Sequence, residues 1–140
     1  MQLNAASDYA LKAMVYLANQ DGVTNTSEIS QEMKIPTAFL YNILGKLRKA
    51  GLIEASRGVK GGWKLLKEPG EITVYDILST SEETLLLDRT LAGKAPKTKA
   101  ERKKEPFYEL FSLLQKEFEN NLKTHTLADV LKFYEKAINQ

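Results

Sequence analysis

The stretch PTAFLYNILGKLRKAGLIEASRGVKGGWKLL, residues 36–66, decides the fold. Its first half carries apolar side chains at the spacing of one helix face: Leu40, Ile43, Leu44 and Leu47. Gly51 follows where a left-handed helix end is expected. The second half alternates as two short strands around the glycine-rich turn at 57–62, which predicts a β-hairpin. The stretch therefore predicts a helix followed directly by a hairpin.

Two shorter amphipathic helices are predicted before this stretch. Residues 7–19 place apolar side chains at helical spacing. Asn25 can accept a hydrogen bond from an early backbone N–H of the next helix, and Glu28 can reach back to complete a capping box. A short connection at 34–37, with a proline at the first turn, leads into the third helix. The order of elements predicts a helix-turn-helix with a wing.

The remainder of the chain is predicted to be mostly helical. Thr73 and Thr126 each begin a helix-capping pattern, and the leucines at 85–87 predict burial. Residues 93–105 are polar and charged, which predicts a mobile loop. A long helix then starts near Pro106 with an apolar stripe too wide for a free surface helix, so it must pack against another surface.

Composition excludes several classes of site in this chain of 140 residues. There is no cysteine, so disulfides, thiolate metal ligands and cysteine nucleophiles are excluded, and no cofactor is expected. His125 is the one histidine, and its interpretation is a helix cap or surface residue. Neither a catalytic nor a metal site is predicted, and enzymatic activity is not expected. The start of the sequence lacks the features of a signal peptide and no apolar run is long enough to span a bilayer, which predicts a cytoplasmic protein.

Positive charge is concentrated in two segments, although the net charge is only +2. Residues 46–67 carry seven basic side chains against one acidic, and residues 94–104 carry six against one. The local positive field of such a segment attracts polyanions. The alternative interpretation of each basic segment is an ordinary solvated surface.

Four stretches together resemble the Rrf2 family, bacterial winged-helix transcriptional regulators of the IscR, NsrR and CymR type. They are YALKAM (9–14), LGKLRKAGLIEASRGVKGGWKL (44–65), EITVYDIL (71–78) and TLADV (126–130). The resemblance implies a homodimer that reads palindromic double-stranded DNA, with the third helix in the major groove and the wing at the minor groove. It also implies that the long C-terminal helices pair across the two-fold axis through Phe107, Phe111, Leu114, Phe118 and Leu122.

The expected fold class is accordingly mainly α with a small β-hairpin. The expected domains are a winged helix-turn-helix at 1–79, a partly disordered linker at 80–105 and dimerisation helices at 106–140.

The chain departs from the family at the iron–sulfur site. Many members carry three cysteines before the long helix, whereas residues 85–106 contain none, so cluster sensing is not expected here. Asp8, where some members place a carboxylate ligand, is interpreted as a surface or helix-start acid. Three possibilities stay open for the control of DNA binding: a small molecule, a protein partner, or no control at all.

The wing supplies the strongest candidate for DNA contact, Arg57, which is followed by the flexible Gly58. An arginine at this place can enter the narrow minor groove, and the resemblance implies the same role. The alternative is an ion pair with a carboxylate such as Glu54. Lys60 and Lys64 are predicted to neutralise phosphates, with plain solvation as the alternative.

The third helix supplies the candidates for base recognition at its N-terminal end: Thr37, Ala38, Tyr41 and Asn42. Asn42 can form two hydrogen bonds with an adenine edge, and Tyr41 can contact a base, a phosphate or, alternatively, the second helix. Lys46 is predicted to contact the DNA backbone or, alternatively, to pair with an acidic side chain, and Ser27 is predicted to hold a phosphate or simply to cap its helix.

Two other functions stay open from the sequence. A winged helix can bind protein instead of DNA, and a small effector can bind between the winged domain and the long helix. Residues proposed for that effector pocket are Tyr75, Leu85, Phe107 and Tyr108, which otherwise belong to the core. Repression is the expected output, because occupancy alone blocks a promoter.

Overall fold

The computed structural model describes residues 2–140 as a mainly helical protein with one antiparallel hairpin, which confirms the predicted fold class. No helix in this range is both long and apolar enough to cross a membrane. The elements are α1 (Ala5–Ala18), α2 (Thr26–Met33), α3 (Thr37–Lys49), β1 (Ile53–Ser56), β2 (Gly62–Leu65), α4 (Val74–Ser81), α5 (Lys99–Lys104), α6 (Tyr108–Thr124) and α7 (Leu127–Ile138), with 3-10 turns at Pro69–Glu71 and Arg89–Ala92.

One hydrophobic core joins the first three helices, the hairpin and α7. Met14 of α1 and Leu44 of α3 are fully buried at its centre, and Leu127 brings the start of α7 into the same cluster. α1 packs against α3, α4 and α7, so it is the central element of the core. The predicted division into domains stays a prediction. In the structure, α7 shares the core of the winged helix-turn-helix.

Side-chain caps set where the helices begin. Asn4 accepts a hydrogen bond from the backbone of Ser7 at 3.0 Å, so α1 starts earlier than the predicted residue 7. Asn25 caps α2 as predicted, at 2.8 Å from the amide of Glu28. The predicted return bond from Glu28 is wrong, because its carboxylate accepts from the Tyr16 hydroxyl at 2.7 Å instead. Thr73 and Thr126 form complete capping boxes, which confirms both predicted starts.

The end of α3 directs the chain into the wing. Gly51 has a φ of +78°, which confirms the predicted left-handed cap. Its amide donates to the carbonyl of Arg48 at 2.9 Å, and the next amide, Leu52, donates to Leu47 at 3.1 Å. These two bonds form a Schellman motif, which ends α3 and starts β1 within three residues.

A buried glutamine holds the segment between α4 and α6. The Gln115 side chain accepts from the amide of Leu87 at 2.7 Å and donates to the carbonyl of Leu85 at 3.0 Å. Leu85 is buried and the next two leucines are half-buried, in agreement with the predicted burial of this run.

The charged segment 93–105 contains a helix that the sequence analysis did not predict. Thr98 and Glu101 form a capping box at the start of α5, and Arg102 donates to the carbonyl of Lys97 at 2.8 Å. The basic side chains of α5 are exposed. A local cap therefore organises a segment whose composition had suggested only a loop.

Candidate nucleic-acid interface

The buried face of α3 determines which of its side chains reach solvent. Leu40, Leu44 and Leu47 are fully buried, so the opposite face of the helix points outward. All four residues predicted to read bases are exposed, and they occupy the first two turns: Thr37, Ala38, Tyr41 and Asn42. Tyr41 is 60 % exposed, so more than half of its surface is open to a ligand.

Thr37 differs from the other three because its hydroxyl already has a partner. It lies 3.0 Å from the hydroxyl of Ser30, which donates to the carbonyl of Ile35 at 2.6 Å. These bonds tie the start of α3 to α2 across the turn. The side chains of α3 with no such link are the better placed to contact a ligand.

The wing is a regular hairpin with its tip exposed. Glu54 faces Lys64 across the two strands, and their charged groups form an ion pair of 3.2 Å. Within residues 2–140, Arg57 and Lys60 form no ion pair, and both are exposed. The pairing of Arg57 with Glu54 that the sequence left open is therefore absent, and Lys64 is the partner of that carboxylate.

Glycines let the wing turn tightly. Gly58 has a φ of +103°, a conformation that side-chain-bearing residues rarely adopt. At Gly61, a Cβ atom would lie 2.4 Å from the carbonyl oxygen of Ser56, so only glycine fits. The turn thus holds the backbone next to Arg57 in a compact loop.

Trp63 fixes the wing to the rest of the domain. Its backbone exchanges two hydrogen bonds with Thr24, of 2.8 and 2.9 Å, and its indole donates to the hydroxyl of Thr26 at 2.9 Å. The ring packs against the core. The wing therefore has a defined position relative to the start of α2.

A groove of about 420 Å³ lies between the start of α2, the outer face of α3 and the wing. Ser27, Tyr41 and Gly58 line it, so the structure brings together predicted residues from three elements. Lys46 and Arg48 are also exposed, on later turns of α3. We call the groove, the outer face of α3 and the wing tip together the α3–wing surface.

The residues expected to mediate dimerisation divide into two groups. Phe107 and Leu114 are 61 % and 40 % exposed, while Phe111, Phe118 and Leu122 are half-buried where α6 packs on α4. Leu110 and Leu113 of the same helix are also exposed. One side of α6 thus presents a continuous apolar face to solvent.

The predicted effector pocket is only partly assembled. Tyr75 and Leu85 line a groove of about 280 Å³ with three glutamates, and neither Phe107 nor Tyr108 lines it. The ammonium group of Lys123 lies 4.6 Å from the centre of the Tyr75 ring. An effector site formed by all four residues stays a prediction.

The family model described as "Rrf2: Iron-dependent Transcriptional regulator" matches residues 3–132. A putative HTH-type transcriptional regulator of Aquifex aeolicus is 42 % identical over 71 residues, covering 50 % of this chain and 49 % of the relative. The HTH-type transcriptional regulator IscR of Cereibacter sphaeroides is 36 % identical over 97 residues, covering 66 % of this chain and 63 % of the relative. The matched region is thus about half to two-thirds of these relatives' length.

Solved structures show the same fold over almost the whole chain. CymR, described as the global cysteine regulator of B. subtilis, superposes with a TM-score of 0.74 and 27 % identity, covering 95 % of this chain and 98 % of CymR. IscR of T. potens gives a TM-score of 0.69 and 28 % identity, covering 98 % of this chain and 90 % of that IscR chain.

Iron dependence, named in the family description, does not fit the residues of this chain. The sequence has no cysteine to supply a thiolate. Among residues 2–140, no three His, Cys, Asp or Glu side chains cluster to hold a metal ion. Asp8, at the place of a carboxylate ligand in some members, forms an exposed ion pair of 3.2 Å with Lys12. Residues 2–140 therefore do not present a donor set for an iron or iron–sulfur site.

Proposed function

The chain belongs to the Rrf2 family of transcriptional regulators, and we propose that it is a homodimeric repressor that binds a palindromic operator without an iron–sulfur cluster. The observation that carries this proposal is the α3–wing surface. Its exposed cations, Arg57 and Lys60, have no carboxylate partner among residues 2–140 and lie on the element next to the outward face of α3.

The chemistry of α3 and of the wing supports a different contact with DNA for each of them. Tyr41 and Asn42 of α3 read base edges in the major groove, where each base pair presents a distinct pattern of donors and acceptors. Arg57 enters the minor groove, and Lys60 neutralises a backbone phosphate. Lys64 contributes less than the sequence suggested, because its charge is already balanced by Glu54 at 3.2 Å.

Dimerisation is proposed through the apolar face of α6. A monomer would leave Phe107 and Leu114 in water together with Leu110 and Leu113, and contiguous exposed apolar surface of this kind marks an interface. A two-fold axis at α6 would present two α3–wing surfaces to one duplex, so the operator would carry the same symmetry. The output is proposed to be repression, since occupancy of a promoter is sufficient.

Mobility shift with random duplex DNA over a series of salt concentrations tests the proposal. If each subunit neutralises about three to five phosphates, the logarithm of the binding constant falls linearly with the logarithm of salt, by about 0.9 per phosphate. Binding with this slope supports a DNA-binding role. No complex at about 50 mM salt with micromolar protein would favour the alternative, a winged helix that binds protein.

A further inference from the structure

A second groove lies on the other side of α3, between its C-terminal half, the end of β2 and α4. Its volume is about 570 Å³, which is within the usual range for small-molecule sites. Three lysines from two parts of the chain line it: Lys46, Lys49 and Lys67. Of these three lysines, Lys67 lies outside the α3–wing surface.

Backbone hydrogen bonds bring these parts together at Leu52. Its amide donates to the carbonyl of Leu47 at the end of α3, and its carbonyl accepts from the amide of Leu66 at 3.0 Å. Lys67 follows directly, so its position relative to α3 is set by the backbone. The lysines therefore converge because of the fold and not through flexible chain.

The charge of this groove is unbalanced. The two ion pairs among residues 2–140 are Lys12 with Asp8 and Lys64 with Glu54, so none of the three groove lysines is paired. Asp76 is the one acidic residue that lines the groove. Its carboxylate accepts from the amide of Thr73 at 2.9 Å in the capping box of α4, which partly satisfies its charge. A net positive groove results.

The floor of the groove is apolar and aromatic. The exposed Ala50 and the half-buried Tyr75 line the groove together with the lysines, while Leu52 is 2 % exposed and offers little surface to a ligand. Ser79 and Thr80 donate their hydroxyl hydrogens to carbonyls of their own helix, at 2.6 and 2.7 Å. The lysines are consequently the main donors available to a ligand.

We propose that this groove binds a small organic anion, with its carboxylate or phosphate group between the lysines and its apolar part against Tyr75 and Ala50. A DNA backbone needs positive charge but has no group to fill an apolar floor, whereas an organic anion uses both. Because Lys46 is also a proposed phosphate contact, a bound anion would neutralise part of the surface assigned to DNA. The inference goes beyond the proposed function, and its test uses the free protein without DNA.

Nuclear magnetic resonance titration of the full chain with phenyl phosphate tests the site. The expected result is a set of amide shifts confined to residues 46–52, 66–67 and 75–80. Inorganic phosphate supplies charge without an apolar part, and benzyl alcohol supplies the reverse, so both are expected to bind more weakly. Equal binding of inorganic phosphate, or shifts spread over other basic surfaces, would overturn the proposal.

Substitution of Lys67 provides the matched test. Lys67→Ala is expected to weaken phenyl phosphate binding about three- to fivefold, while Lys132→Ala, an exposed lysine of α7, leaves it unchanged. An equal response of both variants would contradict the site. If Lys67→Ala weakens duplex binding while phenyl phosphate gives no shifts, the groove belongs to the DNA interface and the proposal is overturned.

Discussion

At the scale of single residues, the structure separates two cations of the wing that look alike in the sequence. Lys64 is held 3.2 Å from Glu54, whereas Arg57 has no ion pair among residues 2–140. The sequence had suggested Glu54 as a competitor for Arg57. The strand register explains the difference, because it places Glu54 directly opposite Lys64.

Arg57→Ala is therefore expected to weaken operator binding by more than about 1 kcal/mol. Lys64→Ala is expected to have a smaller effect, because the charge of Lys64 is already balanced by Glu54 at 3.2 Å. Fluorescence anisotropy with one operator duplex at fixed salt measures both. Unchanged affinity of the Arg57 variant would remove the wing from the proposed interface.

Tyr16 gives a second prediction at this scale. Its hydroxyl donates to the Glu28 carboxylate at 2.7 Å, and this hydrogen bond raises the pKa of Tyr16 to about 12. Folding thus favours the protonated phenol, so the stabilisation is complete below the ordinary pKa of about 10 and is lost as pH rises through the folded value. Absorbance titration of tyrosinate should show a late step that Tyr16→Phe removes. Its persistence in that variant would assign the late step to another tyrosine.

At the scale of elements, the sequence was most informative where a local signal decides the structure. The glycine at the end of α3 and the capping residues Thr73 and Thr126 each act within one turn of helix, and the apolar stripe of α3 extends over about two turns; all were predicted. The helix α5 carries a local signal too, the pair Thr98 and Glu101, but the surrounding charge obscured it.

Tertiary roles of polar residues were not predictable in the same way. Gln115 sits on an amphipathic helix, and nothing in its spacing indicates that it is buried and holds the backbone of residues 85–87. The same holds for the anion groove, where Lys67 is brought next to Lys46 and Lys49 of α3 by the backbone bonds at Leu52. The helix and the hairpin that form most of the α3–wing surface were predictable because each has its own local sequence pattern.

Gln115→Leu is expected to reduce the free energy of unfolding by about 2 kcal/mol, since the amide of Leu87 and the carbonyl of Leu85 lose their partner. Urea denaturation of this variant measures the loss. Lys116→Ala, on the exposed side of the same helix, is the control and should leave stability unchanged. Equal stabilities for the wild type and the Gln115 variant would contradict the structural role of the glutamine.

At the scale of the whole molecule, the proposed binding to a palindromic operator requires two copies of the chain. The apolar face of α6 and the α3–wing surface belong to different parts of the chain, so assembly and DNA contact can be changed separately. A monomer would present only one recognition helix and would contact only one half-site. Its affinity would be lower, because binding at two linked half-sites raises the overall affinity.

Phe107→Glu combined with Leu114→Glu is expected to produce monomers, because each places a charge in the proposed apolar interface. Phe133→Glu is the matched control, since Phe133 is 70 % exposed on α7 and outside the α6 face. Sedimentation equilibrium gives the masses. Dimers of the double variant, or monomers of the wild type, would locate the interface elsewhere or remove it.

The most direct measurement is selection of bound sequences from a random duplex pool, followed by hydroxyl-radical footprinting of the selected site. The account predicts an inverted repeat whose half-sites lie about 10 base pairs apart, or a multiple of this, with protection related by two-fold symmetry. A single asymmetric site protected by one subunit, or a pool from which no sequence is enriched, would contradict it.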